Sequence, residues 1–496
     1  MTMNRSHMLA LLLTAPAATA LLALQPTAHA QPVEHIKKIL APDGAEGDRF
    51  GFGVAYNGAE CFIGAYEHAE GGVFASGAGY FFGENLGGPA NWGFAVKRAE
   101  FAPGITDFFG FSVGMTAAHA AAGAFGDNTK TGAVFLYERD LGGIGAWGLR
   151  KKLLASDGVL NDYFGFSVDM DDGVVIAGAT NKDTSSGAAY IFQQNFGGAN
   201  NWGQSAKLTA PAPENDSFFG QSVSVDNGIA AVGAFQDDAL GTNSGAAYVY
   251  EELPAGAPGA PAPRTGSWKF VKQLLAPGGG DHDSFGESIC VKNGYVIVGA
   301  PTFQDGSGVL GAVFIFHRNQ GGPGAYGFVK RLSNPDMDFL GDSFGDSVDL
   351  DGDILAVGVS QDGAPTDSAG AVYVYGKDIG GGDNWGLLAR VKTPAPAHGE
   401  SLGGDVDIEG DTIIAGAWKA NEIATASGAV HVYRINSVCP EDLNGDGSVD
   451  TADLGILLGS FGMAGPGDFN LDGVIDTADL GILLGGFSAT NCLFAP

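Results

Sequence analysis

The sequence predicts an all-β fold, a seven-bladed β-propeller, followed by a small α-helical domain at the C-terminal end. Three observations carry this prediction: an aromatic–glycine pair that occurs six times and has a degenerate seventh copy, a series of four strand-like segments in each complete unit, and one such segment displaced to the start of the chain. The composition agrees, because 81 glycines among 496 residues and only 16% charged residues suit a β body with many tight turns.

The repeat is marked by an aromatic residue followed by glycine, at intervals of 55 to 66 residues. The copies are Phe50-Gly51, Phe109-Gly110, Phe164-Gly165, Phe219-Gly220, Phe285-Gly286, Phe344-Gly345 and the degenerate Leu402-Gly403. In the fifth copy an alternating strand reaches the hairpin turn Asn293-Gly294, and three further strands follow over 295–301, 311–316 and 326–332. Four strands per unit, repeated around a ring, are the signature of a propeller.

The last unit is incomplete in a way that indicates a closed ring. It stops at its third strand, residues 429–433, and a segment of the fourth-strand type stands at residues 35–42 instead. We therefore expect the N-terminal strand to complete the seventh blade, which removes the exposed sheet edge between first and last blades. An open array of repeats would not need this permutation.

The Phe-Gly pairs and the Gly-Ala-Pro element at 299–301 resemble FG-GAP repeats, the blades of integrin α-subunit propellers, over about residues 35–435. In that family some blades hold calcium in a loop between their first two strands. Here these connections are tight turns, such as Asn57-Gly58, Asp172-Gly173 and Asp351-Gly352. We therefore expect no calcium site of the family type in the propeller.

Acidic residues recur two positions before the Phe-Gly pair, on the face that also carries the connections between second and third strands. They are Asp48, Asp107, Asp162, Asp283 and Asp342, with Glu400 in the seventh copy and Asp216 one residue further back in the fourth. Recurrence in every blade favours a structural turn role over a single ligand site, which would break the symmetry. The repeated Phe, Gly and Trp residues are likewise interpreted as core and turn residues.

Residues 1–30 have the pattern of a secretory signal peptide: Arg5, an apolar stretch, and the small-residue cleavage site Ala28-His29-Ala30. The alternative, a membrane anchor, is disfavoured by Pro16, and no other segment has the length that a spanning helix needs. The prediction is a protein that is secreted or located at the cell surface or in the periplasm. Its net charge of −31 disfavours nucleic acid and anionic membranes as partners.

The tail contains two twelve-residue segments, 442–453 and 468–479, with oxygen-bearing side chains at positions 1, 3, 5, 9 and 12 and glycine at position 6. This spacing wraps hard oxygen ligands around a calcium ion, with position 7 contributing a backbone carbonyl. The predicted ligands of the first Ca2+ are Asp442, Asn444, Asp446, Ser448, Asp450 and Asp453. Those of the second Ca2+ are Asp468, Asn470, Asp472, Val474, Asp476 and Asp479.

Each loop is followed by a segment with helical spacing of apolar residues, Leu454, Leu457, Leu458 and Phe461 and again Leu480, Leu483, Leu484 and Phe487. Position 12 is Asp rather than Glu, and Pro440 leaves no room for an entering helix. Paired loops with exiting helices of this EF-hand-like kind resemble a type I dockerin domain, here residues 437–496, after a propeller over residues 31–436.

The resemblance implies a cohesin domain as partner, with the pairs Thr451-Ala452 and Thr477-Ala478 as recognition residues. Residues 450–459 repeat without change as 476–485, so binding in either of two orientations is expected. Cys439 and Cys492 bracket the module and are predicted to form a disulfide, whereas Cys61 and Cys290 are predicted to be buried free thiols. The alternative is a tail that serves only as a calcium-stabilised cap.

Three functions remain open at this point. The first is an exported non-catalytic binding or scaffold protein, whose propeller presents a face to a polysaccharide or a surface protein and whose tail docks it to a cohesin-bearing partner. The second is a polysaccharide-degrading enzyme or accessory component, an O-glycosyl hydrolase tethered by the tail; it would need a pair of carboxylates at a defined separation, and none stands out. The third is a structural or adhesive cell-surface protein.

Overall fold

The computed structural model describes residues 32–253, 266–304, 310–335, 342–362, 368–379 and 381–436, and in the tail residues 441, 443, 449–463, 465, 467–469, 473–485 and 487. The predicted signal peptide over residues 1–30 and the predicted Cys439–Cys492 disulfide lie outside the described residues. None of the helices within the described part combines the length and hydropathy that crossing a bilayer requires.

Seven four-stranded antiparallel sheets form the blades of a β-propeller, as predicted. Blades one to three contain β2 (Val54–Tyr56), β3 (Glu60–Ala65), β4 (Ala78–Gly83), β5 (Gly93–Arg98), β6 (Val113–Met115), β7 (His119–Ala124), β8 (Ala133–Glu138), β9 (Gly148–Leu153), β10 (Phe164–Asp171), β11 (Val174–Ala179), β12 (Ala188–Gln194) and β13 (Trp202–Leu208). Blades four to six contain β14 (Val223–Asp226), β15 (Ile229–Ala234), β16 (Ala246–Glu252), β17 (Trp268–Leu274), β18 (Ser288–Lys292), β19 (Tyr295–Gln304), β20 (Leu310–His317), β21 (Gly327–Ser333), β22 (Ser347–Asp351), β23 (Ile354–Val359), β24 (Ala371–Gly376) and β25 (Gly386–Val391).

The seventh blade joins the two ends of the propeller. It consists of β26 (Leu402–Glu409), β27 (Thr412–Ala417), β28 (Ala429–Ile435) and the N-terminal β1 (Val33–Ile39), in the order β1-β28-β27-β26. The register runs antiparallel from Val33 opposite Ile435 to Ile39 opposite Val430, and both Val33 and Ile39 are buried. The predicted closure of the ring by the N-terminal strand is therefore confirmed.

The Phe-Gly pair holds neighbouring blades together through both of its residues. The phenylalanine ring is fully buried and meets an aromatic ring of the third strand edge-on, as Phe164 does with Tyr190 at 5.5 Å. The glycine carbonyl meets a second glycine near the end of the second strand in the preceding blade: a Cβ at Gly178 would lie 2.0 Å from the Gly220 oxygen. These residues have the core and packing role that the repeat predicted.

The recurring acidic residues close the turn that enters each blade. The Asp48 carboxylate accepts a hydrogen bond from the backbone N–H of Ala45 at 2.7 Å, and Asp162 does the same for Val159 at 2.7 Å. Asp283 accepts from Gly280 at 2.6 Å. All three acids are buried. The structural turn role is thus what the geometry shows.

Helical structure is sparse. A 3-10 turn covers Glu70–Gly72, and the single turns α1 (Asp127–Lys130) and α2 (Lys182–Ser185) lie in connections between second and third strands. In the tail, α3 (Thr451–Gly459) and α4 (Thr477–Gly485) share a small core of Leu443, Val449, Leu457, Ile475 and Leu483. The helical spacing read from the sequence is only partly a core face, because Leu458 and Leu484 lie exposed on the outside. Cys61 and Cys290 are buried free thiols, as predicted.

Candidate functional site: the central channel, its entry mouth and the tail loops

The innermost strands of the blades line a central channel with a volume of about 600 Å³. Side chains alternate along each strand, so every second residue of a first strand points into this channel. The lining includes six serines and eight aspartates beside apolar residues, chiefly valine. A ring of serines locks blade to blade: Ser167, Ser222, Ser288 and Ser347 donate to the carbonyl of the Phe-Gly or Leu-Gly glycine in the next blade at 2.7–3.0 Å.

The deeper carboxylates satisfy backbone groups that the fold leaves open. An innermost strand is a sheet edge, and its outward N–H groups have no ladder partner. Asp169 accepts from Val225 of the next blade at 2.8 Å, and Asp349 accepts from Ile408 at 2.8 Å. Asp407 closes the ring in the same way by accepting from Tyr56 of blade one at 2.6 Å. The main role of these aspartates is therefore to cap the open edges of the innermost strands.

Burial gives the channel an unusual protonation state. Desolvation raises the pKa of Asp169 to about 6 and that of Asp405 to about 7. Burial together with the nearby Asp349 carboxylate raises the pKa of Asp407 well above its ordinary value. The Cys290 thiol donates to Asp349 Oδ1 at 3.2 Å. The middle of the channel thus holds several carboxyl groups whose ionisation is opposed by burial.

The channel has two different ends. At the end where the first strands finish, Asp351 and Glu409 lie 3.8 and 3.7 Å from the Lys292 ammonium group. Asp351 also accepts from the backbone N–H of Gly410 at 2.8 Å, so its lone pairs are used within the protein. At the opposite end the first strands begin and the second strands finish. We call this end the entry mouth; it has an aromatic side and an acidic side.

One side of the entry mouth is a continuous set of half-buried aromatic rings, which we call the aromatic arc. It consists of Phe52, Tyr66, Phe108, Phe111, Phe125, Tyr163, Phe166 and Trp418. The residue after the Phe-Gly pair supplies the inner row, and its ring centroids are 4.7 Å apart from Phe52 to Phe111 and 4.9 Å apart from Phe111 to Phe166. Phe125 joins this row 4.8 Å from Phe111, and Trp418 joins it 5.4 Å from Phe52.

The other side of the entry mouth is acidic. Glu287 and Asp346 occupy the position after the Phe-Gly pair in blades five and six, and Gln221 occupies it in blade four. Desolvation raises the pKa of Glu287 to about 7, with a further contribution from Asp346, and it raises the pKa of Asp346 to about 6. Asp346 accepts hydrogen bonds from the backbone N–H and the hydroxyl group of Ser360.

Two cations separate the arc from the acids on the side of blade seven. The Lys419 ammonium group lies 4.2 Å from the ring centroid of Trp418, and the Arg49 guanidinium lies 5.1 Å from it. Lys419 also interacts electrostatically with Asp346. The entry mouth therefore departs from the sevenfold repeat: the aromatic arc covers blades one to three and seven, a separate ring pair, Phe218 and Phe235 at 5.6 Å, lies in blade four, and blades five and six are acidic.

The entry mouth was not predicted from the sequence. The predicted recurring side chains were the acids two positions before the Phe-Gly pair, whereas the arc comes from the residues directly before and after the pair and from the ends of second strands. The available signal was Phe52, Phe111 and Phe166, which share one repeat position only in the first three copies.

A further acidic group lies away from the channel. Oxygen atoms of Glu100, Asp107 and Asp127 come within 4.8 Å of one another. Lys152 forms an ion pair with Glu100 at 2.9 Å and a second one with Asp127. This lysine supplies the positive charge that the cluster needs.

In the tail, backbone N–H groups in the described part of the loop over 468–479 donate hydrogen bonds to carboxylates of the same loop. Asp479, at position 12, is fully buried and accepts from the backbone N–H groups of Phe469 at 2.7 Å and Asp476 at 2.8 Å. Gly473, at position 6, donates to Asp468 at 2.9 Å. The two ends of the loop are thereby drawn together around hard oxygen atoms, and this donor set fits calcium.

The loop over 442–453 shows one of the same hydrogen bonds where it is described. Asp453 is fully buried and accepts from the Asp450 N–H at 2.8 Å. Val474 lies in the described part of the second loop, exposed beside Gly473. The predicted ligands Asp442, Asn444, Asp446, Ser448, Asn470 and Asp472 lie outside the described residues.

The predicted recognition residues are exposed in the first turns of the two helices. Thr451 and Ala452 begin α3, where Ala452 donates to the capping carboxylate of Asp450 at 2.7 Å. Thr477 and Ala478 stand in the same relation to α4, capped by Asp476 at 2.7 Å. Exposed apolar side chains continue each helix surface: Ile456 and Leu458 on α3, Ile482 and Leu484 on α4.

The FG-GAP repeat family matches the chain over residues 34–82, 147–192, 202–250, 268–316 and 329–375. Each matched segment begins in or just before the fourth strand of one blade and ends in the third strand of the next, so blades one, three, four, five and six are covered. No curated protein matches the chain.

Proposed function

We propose that this chain, five of whose blades match FG-GAP repeats, is an exported binding protein with two separate contact regions. The propeller binds its ligand at the entry mouth, and a calcium-dependent dockerin-like tail attaches the protein to a cohesin-bearing partner or surface. One observation carries the proposal. The entry mouth is where the blades differ from one another, while the packing residues of the same blades repeat.

The asymmetry matters because structural roles in a ring recur. The buried turn acids and the serine ring occupy equivalent positions in most blades, as packing and hydrogen bonding require. The position directly after the Phe-Gly pair does not repeat in this way: it holds Phe52, Phe111 and Phe166 in the first three blades but Gln221, Glu287 and Asp346 in the next three. A set of side chains that departs from the repeat at one end of a channel is the arrangement expected of a ligand site.

The tail supports attachment through its duplication. Two helices of identical sequence each present a Thr-Ala pair and exposed apolar residues next to a capped N-terminus. In the proposal, one calcium ion is held by Asp442, Asn444, Asp446, Ser448, Asp450 and Asp453 and the other by Asp468, Asn470, Asp472, Val474, Asp476 and Asp479. Calcium orders the loop ends and so fixes the direction of the helix that leaves each loop.

The attachment is tested with the full chain and a panel of purified, immobilised cohesin domains. We expect retention in calcium, release by chelator and recovery of retention when calcium is restored. Retention that persists in chelator would contradict a calcium-dependent tail. Failure of every cohesin domain in calcium would contradict the assigned partner and favour a tail that only caps the propeller.

Glycan hydrolysis is the second candidate, and Glu287 is the observation that favours it. Its carboxyl group has a pKa raised to about 7 and stands near Asp346, the arrangement that lets one carboxyl group act as general acid while another stays ionised. The assay is release of reducing ends from soluble polysaccharides by the wild type and by Glu287→Gln. Hydrolysis that Glu287→Gln abolishes would establish the enzyme; undiminished hydrolysis in that variant would exclude this assignment.

A further inference from the structure

We propose that the entry mouth binds a neutral glycan, with sugar rings lying against the aromatic arc and their hydroxyl groups hydrogen-bonded to Glu287, Asp346 and Gln221. This rests on the proposed function, because it takes the entry mouth as the ligand site and names the chemical class of the ligand. Three properties of the mouth lead to this class: its half-buried rings, its hydrogen-bonding side chains and its charge.

The rings of the aromatic arc provide apolar surface that the folded chain buries only in part. All eight members of the aromatic arc are half-buried, whereas the Phe-Gly rings directly beneath them are fully buried. Contiguous apolar surface that stays partly exposed at the end of a channel costs free energy in water and marks a contact region. A sugar ring offers a flat face of C–H groups that can cover such rings without burying a charge.

The acidic side supplies acceptors for hydroxyl groups. In the described part of the chain no side chain or backbone group donates a hydrogen bond to the Glu287 carboxylate; burial and Asp346 raise its pKa, and no donor acts to lower it. Gln221 stands between Glu287 and Phe166 around the ring and adds an amide, which both donates and accepts. Donors and acceptors next to aromatic rings match a ligand with apolar faces and hydroxyl edges.

The charges in and around the entry mouth disfavour the other classes of ligand. The mouth itself carries the acidic side chains Glu287 and Asp346, and the whole chain carries −31, so an anionic glycan or a nucleic acid is disfavoured. A cationic ligand would meet Lys419 and Arg49, which already lie against Trp418. A purely apolar chain would desolvate Glu287 and Asp346 without giving them hydrogen bonds. A neutral polyhydroxylated ligand avoids all three penalties.

The test uses the full chain in affinity electrophoresis through gels that contain one polysaccharide each. The neutral probes are mixed-linkage β-glucan, arabinoxylan and galactomannan, and polygalacturonate is the anionic probe. A lysine-rich peptide is tested separately by titration. We expect at least one neutral polysaccharide to retard the wild type, and Phe111→Leu and Glu287→Gln each to weaken that retardation about tenfold or more.

The matched control is Phe328→Ala, which removes an exposed ring from the outer strand β21 of blade five. It should bind the neutral polysaccharide as the wild type does. Phe111→Leu keeps apolar bulk, and thermal unfolding of each variant shows whether the propeller is intact. Phe166→Leu is the second arc variant if Phe111→Leu does not fold.

Three results would overturn the inference: no retardation by any neutral polysaccharide, equal retardation of wild type and mouth variants, or preferred binding of polygalacturonate or the lysine-rich peptide. Repeating the electrophoresis in chelator separates this inference from the attachment. Glycan binding should persist without calcium. If glycan binding fails while calcium-dependent cohesin retention is observed, the assignment of a neutral glycan is contradicted and the attachment through the tail stands. If glycan binding is observed while cohesin retention fails, the attachment is contradicted and the entry mouth stands as a glycan site.

Discussion

The propeller and the tail are both built by repetition, but they use it in opposite ways. The seven blades keep their packing residues and differ around the entry mouth, where Phe111 in blade two corresponds to Glu287 in blade five. The two halves of the tail keep everything over ten residues, including the exposed Thr451-Ala452 and Thr477-Ala478. Repeats that share a fold but differ at one end suit a single ligand site, whereas identical exposed repeats suit two equivalent contacts.

The largest effect should come from opening the ring. A chain that begins at Ala41 lacks β1, so β28 loses its partner strand and the buried side chains of Val33 and Ile39 are lost. Those two side chains alone contribute about 3–6 kcal/mol. We expect the calorimetric transition of the propeller to shift sharply downward or vanish and the protein to aggregate through the open edge.

The control is a chain that begins at Gln31 and keeps β1. Its propeller should unfold at the temperature of the longer chain. A propeller that stays equally stable without β1 would contradict closure by this strand.

The closure of the ring was predictable because a strand pattern at residues 35–42 was the one segment missing from the last repeat; the observed strand is Val33–Ile39. The turn role of Asp48 and its equivalents was predictable for the same reason, their recurrence. The entry mouth was not predicted, since residues as distant in sequence as Phe52 and Trp418 meet only once the ring is closed. The edge-capping role of Asp349 needs the open N–H of Ile408 in the next blade, which no pattern within one repeat reveals.

Glycine substitutions should change stability with opposite sign in the two regions. At Gly178 a Cβ would lie 2.0 Å from the Gly220 oxygen in the next blade, so Gly178→Ala should destabilise the propeller by about 1–3 kcal/mol or more. At Gly481, in the middle of α4, a Cβ meets nothing within 4 Å, and alanine forms helix better by about 0.5–1 kcal/mol. Calorimetry of the two transitions measures both effects.

Gly382→Ala is the matched propeller control, because a Cβ there meets nothing within 4 Å. It should leave the propeller transition in place. If Gly178→Ala also left the propeller transition unchanged, the close approach of Gly178 to Gly220 would not determine the separation of neighbouring blades.

The two regions should also respond oppositely to pH. Burial raises the pKa of Asp405 to about 7 and that of Asp169 to about 6, above the value of about 4 in an unfolded chain. The folded propeller therefore binds more protons, and its free energy of unfolding should fall as pH rises from about 4 to about 7. In the proposed function the tail binds calcium through ionised carboxylates, so its stability in calcium should rise over the same range.

Asp405→Asn tests this directly, since the amide oxygen can still accept the hydrogen bond that Val54 donates at 2.7 Å. Thermal unfolding between pH 4.5 and 8 should show a smaller pH slope in this variant than in the wild type. Glu46→Gln, at an exposed position, is the control and should keep the wild-type slope. An unchanged slope in Asp405→Asn would show that this carboxyl group does not contribute to the pH dependence.

The smallest effect should come from changing one of the two recognition pairs. Thr451→Asp keeps the fold, because an acidic side chain is favourable in the first turn of a helix, but it places a charge at the proposed contact. If α3 and α4 offer equivalent surfaces, losing one of them removes one of two binding orientations. Affinity for a cohesin domain that binds wild type should then fall about twofold, or about 0.4 kcal/mol, and Thr451→Asp with Thr477→Asp should abolish binding.

The control is Thr425→Asp, at an exposed position of the propeller, which should leave affinity unchanged. Full loss of binding in either single variant would mean that the two helices, although identical in sequence over Thr451–Gly459 and Thr477–Gly485, form one composite surface rather than two alternative ones.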